Sequence, residues 1–152
     1  MGGAGKTIIF CEKKRGCEAL KEQLGRRGVS ASALHGDKSQ QERDYTMQQF
    51  KSGAVRVLVA TDVAGRGLDV KDVQVVINYD APSSAEDYVH RIGRAGRAGA
   101  TGTAFTLLTP SDGYVAREIA RMMRKSRSGV PHALERAANM GGRDDGYRRW
   151  RS

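Results

Sequence analysis

Short apolar segments rich in branched residues alternate along this chain with longer segments of helical periodicity. We predict strands at 7–11, 30–34, 55–60, 73–79 and 102–108. We predict helices between and after them, at 13–27, 39–50, 84–92 and 111–125. Strands that alternate with helices of this length pair in parallel and form an α/β sandwich. Because ligands of such sheets bind at the carboxyl ends of the strands, the residues that follow the strands are the first candidates for a functional site.

The size and apolar content of the chain indicate one globular domain. Its 152 residues, 39% of them hydrophobic, are enough for a core of their own. We expect no membrane span and no secretory leader. The two cysteines, Cys11 and Cys17, lie in an apolar segment and a helical pattern, so we expect buried thiols, no zinc site and a reducing intracellular compartment.

The positive charge is concentrated near the end of the sequence. Residues 1–113 hold 16 Lys/Arg against 13 Asp/Glu, whereas residues 114–152 hold 10 against 4. This excess predicts a polyanionic partner, for which nucleic acid is favoured over acidic lipid. We expect a folded domain at 6–128, after a vector scar or truncated start at 1–5.

The segment 129–152 has too little apolar material to fold alone, although 132–139 could form a short helix. We therefore predict a flexible basic tail whose removal leaves the fold intact. Its Tyr147 and Trp150 lie among four arginines, so it is either an RNA tether or a solubilising end with incidental aromatics. The arginines are Arg143, Arg148, Arg149 and Arg151.

The tripeptide Gly5-Lys6-Thr7 looks like the end of a phosphate-binding P-loop, but its context is wrong. That motif needs a further glycine five positions before Gly5 and a helix after the lysine. A predicted strand follows Lys6 instead. We therefore expect no P-loop in this chain.

Two glycine-containing strings carry several charged and polar residues within a short length. Residues 90–97 read His-Arg-Ile-Gly-Arg-Ala-Gly-Arg, and residues 60–69 read Ala-Thr-Asp-Val-Ala-Gly-Arg-Gly-Leu-Asp. Arginine forks match phosphate oxygens, and glycines let the backbone approach a ligand closely. A solvated basic helix end explains the charge of the first string but not its glycine spacing.

Together these strings resemble late motifs of the DEAD-box RNA helicases, motif V at 60–69 and motif VI at 90–97. The segment 8–11 resembles motif IV, and His35-Gly36-Asp37 with Gln40 to Arg43 resembles the glycine turn and the Gln-x-x-Arg element. The resemblance covers residues 7–110. It implies the second of two RecA-like domains, a three-layer sandwich with a mainly parallel central sheet flanked by helices. The first domain, with its P-loop and Asp-Glu-Ala-Asp string, is absent from this sequence.

For ATP, the resemblance implies that Arg94 and Arg97 reach the triphosphate as arginine fingers. Gly67 would allow close backbone approach and Asp69 would accept from the ribose hydroxyls. His90 would contact the absent domain, which also binds most of ATP and Mg²⁺, so no metal site is expected here.

Three further residues of these motifs have structural alternatives. Arg91 is expected to serve structure or coupling. Asp62 and Arg66 could pair with each other and hold the loop between them, and a structural ion pair is at least as well supported for them as a ligand contact.

For RNA, the resemblance implies contacts from Gly36, Arg43 and Thr61 to the sugar-phosphate backbone, aided by the N-terminus of the helix at 39–50. Such contacts are sequence-tolerant. We expect a monomer that hydrolyses no ATP without the first domain, which is its partner in cis. Two alternatives are a DNA-directed relative, although such proteins usually have glutamine where His90 stands, and an RNA-binding module with unused ATP motifs.

Overall fold

The computed structural model describes residues 5–62, 70, 72–93, 95 and 102–141. Within them, every predicted strand and helix is found, with its ends shifted by at most two residues. The strands are β1 (Lys6–Cys11), β2 (Ala31–Leu34), β3 (Val57–Thr61), β4 (Val73–Asn78) and β5 (Thr103–Thr106). The helices are α1 (Lys14–Arg26), α2 (Gln40–Ser52), α3 (Ala85–Ile92), α4 (Gly113–Lys125) and α5 (His132–Gly141), with a 3₁₀ turn at Pro110–Asp112.

The five strands form one sheet in the order β2-β3-β1-β4-β5. Each pairing in this part of the chain is parallel, so the expected mainly parallel α/β sheet is confirmed. Ile8 of the central strand lies opposite Leu58 on one side and Val76 on the other. Because all five strands run the same way, their carboxyl ends meet at one edge of the sheet.

Successive residues of β1 point to opposite faces of the sheet. Because the residues on both faces are apolar, a helix covers each face. Ile8 and Phe10 lie in the cluster that includes Phe50 of α2. Ile9 and Cys11 lie in the cluster that includes Cys17 of α1. Both cysteines are buried and free, as predicted. The hydrogen bond between the two thiols, followed by burial, raises the pKa of Cys11, so this thiol stays protonated.

Helix α2 begins with the predicted capping box. The Ser39 hydroxyl accepts from the Glu42 amide at 3.1 Å, and the Glu42 carboxylate accepts from the Ser39 amide at 2.9 Å. Gly53 ends the helix in the left-handed region, with φ of 84°.

The structure confirms that Gly5-Lys6-Thr7 is not a P-loop, since Lys6 begins a strand. The Lys6 ammonium donates to the Lys51 carbonyl at 2.8 Å, in the last turn of α2, where a cation is favoured.

The described residues fall into two compact units, which divide at 80/81, 89/90 and 106/107. The first contains the sheet, α1 and α2. In the second, α4 and α5 pack together through buried residues that include Ile119, Leu134 and Ala138. Among the described residues, no helix is long and apolar enough to cross a membrane.

Helix α5 lies inside the segment that we expected to be a flexible tail. The Arg117 guanidinium donates to the Ala138 carbonyl at 3.2 Å, and Arg124 pairs with Glu135 at 3.3 Å. Residues 132–141 are therefore helical and packed against α4, because Leu134 and Ala138 supply the apolar contact that the composition of the whole segment hides. The division at residue 128 stays a prediction, and residues 142–152 lie outside the described part.

Candidate functional site

A buried arginine links the two glycine-containing strings. Arg91, in the last turn of α3, is only 3% exposed. Its Nε donates to Asp62 Oδ1 and its Nη2 donates to Asp62 Oδ2, both at 2.7 Å. Asp62 directly follows β3, and the two parallel hydrogen bonds form the fork-to-fork geometry in which arginine binds a carboxylate most tightly.

The remaining guanidinium nitrogen joins further strand ends. Arg91 Nη1 donates to the Asp80 carbonyl at 2.6 Å and to Asn78 Oδ1 at 3.3 Å. Asn78, fully buried at the end of β4, donates through Nδ2 to Thr106 Oγ1 of β5 at 2.9 Å. We call Arg91, Asp62, Asn78, Asp80 and Thr106 the Arg91 network.

The Arg91 network is fully paired and extends to β1. The Asp80 carboxylate accepts from the Glu12 amide, directly after β1, at 2.8 Å. The Arg91 guanidinium also lies 5.4 Å from the centre of the Phe10 ring. Among the described residues, no buried side-chain nitrogen or oxygen lacks a hydrogen-bond partner. The carboxyl ends of β1, β3, β4 and β5 are thus held by one set of polar contacts.

These contacts confirm the structural part of the role expected for Arg91. The structural partner of Asp62 is Arg91, and Arg66, the alternative partner, lies outside the described residues. So do the remaining predicted nucleotide-binding residues, Gly67, Asp69, Arg94 and Arg97. His90 is exposed in α3, and its expected role stays a prediction.

Two of the three expected RNA-binding residues lie at the carboxyl ends of the neighbouring strands β2 and β3, and the third lies in α2. Thr61 is the buried last residue of β3. Gly36 is exposed two residues after β2, and a Cβ at this position would meet no atom within 4 Å. Arg43 lies half-buried in the first turns of α2. Among the described residues, nothing near Gly36 requires a glycine, so the open space at this position is available to a ligand.

The turn that contains Gly36 is tied to α1 by side chains that the motifs did not reveal. His35 is buried, and its Nε2 lies 2.7 Å from Glu18 Oε2. The same Glu18 oxygen lies 3.0 Å from the Lys38 ammonium. Asp37 pairs with Lys14 at 2.6 Å. Two helical turns of α1 therefore hold residues 35–38.

The charges around this turn stabilise the ionised carboxylates. Hydrogen bonds from His35 and then Lys38 hold the pKa of Glu18 below its usual range. The hydrogen bond from Lys14 lowers the pKa of Asp37 in the same way. The backbone hydrogen bond from Ser39 lowers the pKa of Glu42 in the capping box. The turn and the start of α2 thus carry fixed charges at neutral pH.

Comparison with protein families identifies the domain. The model of the helicase conserved C-terminal domain matches residues 2–99. The chain belongs to this family. The match covers β1 to β4, the turn at 35–38 and every member of the Arg91 network except Thr106. With the relatives described next, it identifies a DEAD-box C-terminal helicase domain and confirms the resemblance found in the sequence.

Curated and solved relatives agree with this assignment. The chain is 48% identical over 138 residues to a mouse protein named probable ATP-dependent RNA helicase DDX17, covering 90% of this chain and 21% of that protein. It is also similar to the yeast DEAD-box splicing factor Prp28, with 32% identity, a TM-score of 0.81 and coverage of 93% of this chain and 32% of the other. A third similar structure is Saccharomyces cerevisiae Dbp5 bound to RNA and ADP BeF3, with 29% identity, a TM-score of 0.72 and coverage of 91% and 39%. The RecA-like fold is confirmed, and this helicase C-terminal domain spans about a fifth of the length of its curated relatives.

Proposed function

We propose that this chain is the second domain of an ATP-dependent RNA helicase that separates short RNA duplexes locally. The Arg91 network is the observation that supports this proposal most directly. It ties Asp62, in the string at 60–69, to Arg91, in the string at 90–97. The two strings expected to touch the nucleotide and the RNA then share one support.

In this proposal the chain supplies half of an ATP site. Arg94 and Arg97 follow the anchored Arg91 by three and six residues and neutralise the charge that spreads over the γ-phosphate oxygens during hydrolysis. Asp69 accepts hydrogen bonds from the ribose, and Gly67 lets the backbone approach it. His90 is exposed, as a side chain that contacts another domain must be.

The chain also supplies half of an RNA groove. Gly36, Arg43 and the end of β3 at Thr61 contact the sugar-phosphate backbone, and the open space at Gly36 leaves room for it. The capping box uses the amide of Glu42, so the N-terminus of α2 offers the amides of Gln40 and Gln41 to a phosphate. The similar Dbp5 structure, bound to RNA and ADP BeF3, supports joint binding of both ligands to this fold.

Activity then requires closure against a first helicase domain. Joint binding of ATP and RNA brings the fingers onto the phosphates and excludes water, and product release reopens the pair. Among the described residues, no group of three or more His, Cys, Asp or Glu side chains could hold a metal ion. In this function Mg²⁺ is bound by the first domain, together with the phosphates it accompanies.

The test is ATP hydrolysis by the full-length protein with and without single-stranded RNA. We expect RNA to stimulate turnover, and Arg97→Ala or Arg94→Ala to lower it by about 10³–10⁵, the usual contribution of an arginine finger. Arg121→Ala, an exposed arginine of α4, is the matched control and should leave turnover unchanged. Binding of RNA with no stimulation would instead support the RNA-binding module, and stimulation by DNA alone would support the DNA-directed relative.

The 152-residue chain by itself should hydrolyse no ATP above background. It lacks the P-loop lysine and the acidic residues that bind the phosphates and the metal. RNA-stimulated ATP hydrolysis by a pure preparation of this chain would contradict the proposal that it supplies only half of the ATP site.

A further inference from the structure

We infer that His35 is a positioning residue for RNA binding, which it serves by fixing the Gly36 turn through a single neutral tautomer. This inference rests on the function proposed above and adds a residue with no assigned role. His35 follows β2 directly, and its side chain is only 7% exposed. It therefore acts through the turn rather than by contact with a ligand.

Both ring nitrogens of His35 are used, and their partners define where the proton lies. Nδ1 accepts from the Asp37 amide at 3.3 Å, so it carries no proton. Nε2 lies 2.7 Å from the Glu18 carboxylate, which can only accept, so Nε2 donates. The two contacts together require the neutral ring with its proton on Nε2.

This ring bridges α1 and the turn. Nε2 contacts Glu18 on α1, and Nδ1 accepts from the Asp37 amide. Gly36 therefore lies between two residues that are both held by the His35 ring or belong to it. The His35 carbonyl also accepts from the Lys38 amide at 3.1 Å, and Ser39, the N-cap of α2, is the next residue. The side chain of His35 therefore holds the residues on either side of Gly36, while its backbone carbonyl holds the residue before the N-cap of α2.

The surroundings of Gly36 explain why such a support is needed. A Cβ at Gly36 would meet no atom within 4 Å, so packing does not fix this residue. Glycine also has the largest backbone freedom of any residue. Without His35, the turn would have to be ordered when RNA binds, and that ordering would weaken the affinity.

Two conservative variants separate the two contacts of the ring. In His35→Asn, the side-chain oxygen can accept from an amide two residues on, as asparagine does in Asx turns, but cannot reach Glu18. In His35→Gln, the longer amide can donate to Glu18 but is poorly placed for the Asp37 amide. His35→Ala removes both contacts.

The experiment measures RNA-stimulated ATP hydrolysis by the full-length protein as a function of RNA concentration. For His35→Ala we expect half-saturation to require about 5- to 10-fold more RNA, the equivalent of removing one hydrogen bond. Turnover at saturating RNA and the KM for ATP should be unchanged. His35→Asn should recover most of the RNA affinity, and His35→Gln should recover less.

Leu20→Ala truncates a partly buried side chain of α1 that packs against the cluster containing Cys17, and it controls for general loss of stability. If His35→Ala does not fold, Glu18→Ala replaces it, because this half-exposed side chain leaves the core intact, and it should weaken RNA binding in the same direction. An RNA half-saturation that is unchanged in these variants would overturn the inference but not the proposed function. The same holds if His35→Asn binds RNA as weakly as His35→Ala. Absence of RNA stimulation in the wild-type protein would overturn the proposed function and the inference with it.

Discussion

Asp62 and Arg91 lie 29 positions apart, yet both carboxylate oxygens of Asp62 accept from the Arg91 guanidinium at 2.7 Å. The pair fixes the distance between the residue after β3 and the last turn of α3. The two glycine-containing strings continue from these points, at 63 and at 93, so the positions from which they continue are held relative to each other.

Removing one partner of this pair should be strongly destabilising. Arg91→Ala leaves Asp62 and Asn78 without their donor, and breaking a buried ion pair costs about 3–5 kcal/mol. Because Asp62 is 32% exposed, we expect the lower end of that range. Urea unfolding of the 152-residue chain measures the loss. Arg91→Lys should recover only part of it, since an ammonium cannot form both hydrogen bonds with Asp62. A loss below about 1 kcal/mol for Arg91→Ala would show that the pair behaves like a surface ion pair.

The start of α2 should depend on Ser39. Ser39→Ala removes the hydroxyl that accepts from the Glu42 amide and should lower the free energy of unfolding by about 1 kcal/mol. Ser39→Asp keeps an acceptor at the N-cap, and Glu42→Gln keeps the reciprocal contact. The free energy of unfolding of both variants should therefore stay near that of the wild type. Chemical denaturation of the four proteins provides the comparison, and equal stability of Ser39→Ala and the wild type would argue against the capping box.

Truncation should separate the packed helix from the residues beyond it. A chain that ends at residue 141 should be as stable as the 152-residue chain. A chain that ends at 128 loses α5 and should be less stable by at least about 2 kcal/mol, because it exposes the apolar surface that Leu134 and Ala138 cover. Thermal unfolding of the three lengths tests this, with Leu134→Ala as a check on the contribution of one side chain. Equal stability of all three would mean that α5 adds nothing to the fold.

Residues 142–152 should contribute charge rather than stability. They contain Arg143, Arg148, Arg149 and Arg151 against Asp144 and Asp145, a net charge of +2. Ending the chain at 141 should weaken RNA binding more at low salt, with a change of about 0.7 in the logarithmic salt slope for each phosphate that is no longer neutralised. Tyr147→Ala with Trp150→Ala keeps the charge and tests stacking separately. An unchanged affinity and slope would exclude a role for this segment in RNA binding.

Acid should remove the contribution of Glu18 to stability. Its pKa is lowered in the folded chain by His35 and Lys38, so its stabilisation is present above the ordinary glutamate value of about 4.3 and is lost as pH falls through the lower folded value. Glu18→Gln should therefore be less stable than the wild type at pH 6, and the difference should shrink below pH 4. Unfolding curves of both proteins across this range measure it. A difference that is constant with pH would mean that the charge of Glu18 does not matter.

The strands and helices of the described residues could be located from the sequence because the patterns involved are local. Apolar runs mark the strands, and Ser39 with Glu42 marks a helix start within four residues. Parallel pairing followed from the alternation alone. The packing of helix α5 was the exception, since two apolar residues in a charged, glycine-containing segment do not reveal that they are buried against α4.

The polar contacts of the site were less predictable because they join distant positions. Arg66 was the obvious candidate partner of Asp62 because it is four residues away, whereas Arg91 reaches Asp62 only once β3 and α3 are placed by the sheet. His35 and Glu18 likewise meet across the connection from α1 to β2. Among the described residues, the contacts that hold the site are set by the topology of the sheet. The spacing of the motifs predicts where the strands end, but it does not predict which side chains meet there.

The strand order also sets how this domain can fold. No two neighbouring strands can pair through a tight turn, since every connection in a parallel sheet is a crossover. The central strand β1 is synthesised before both of its partners, which begin only at Val57 and Val73. Long stretches of chain must close before the first sheet contact forms, which slows folding relative to helical domains of similar size. During synthesis, the apolar residues of β1 therefore stay without strand partners until β3 has left the ribosome.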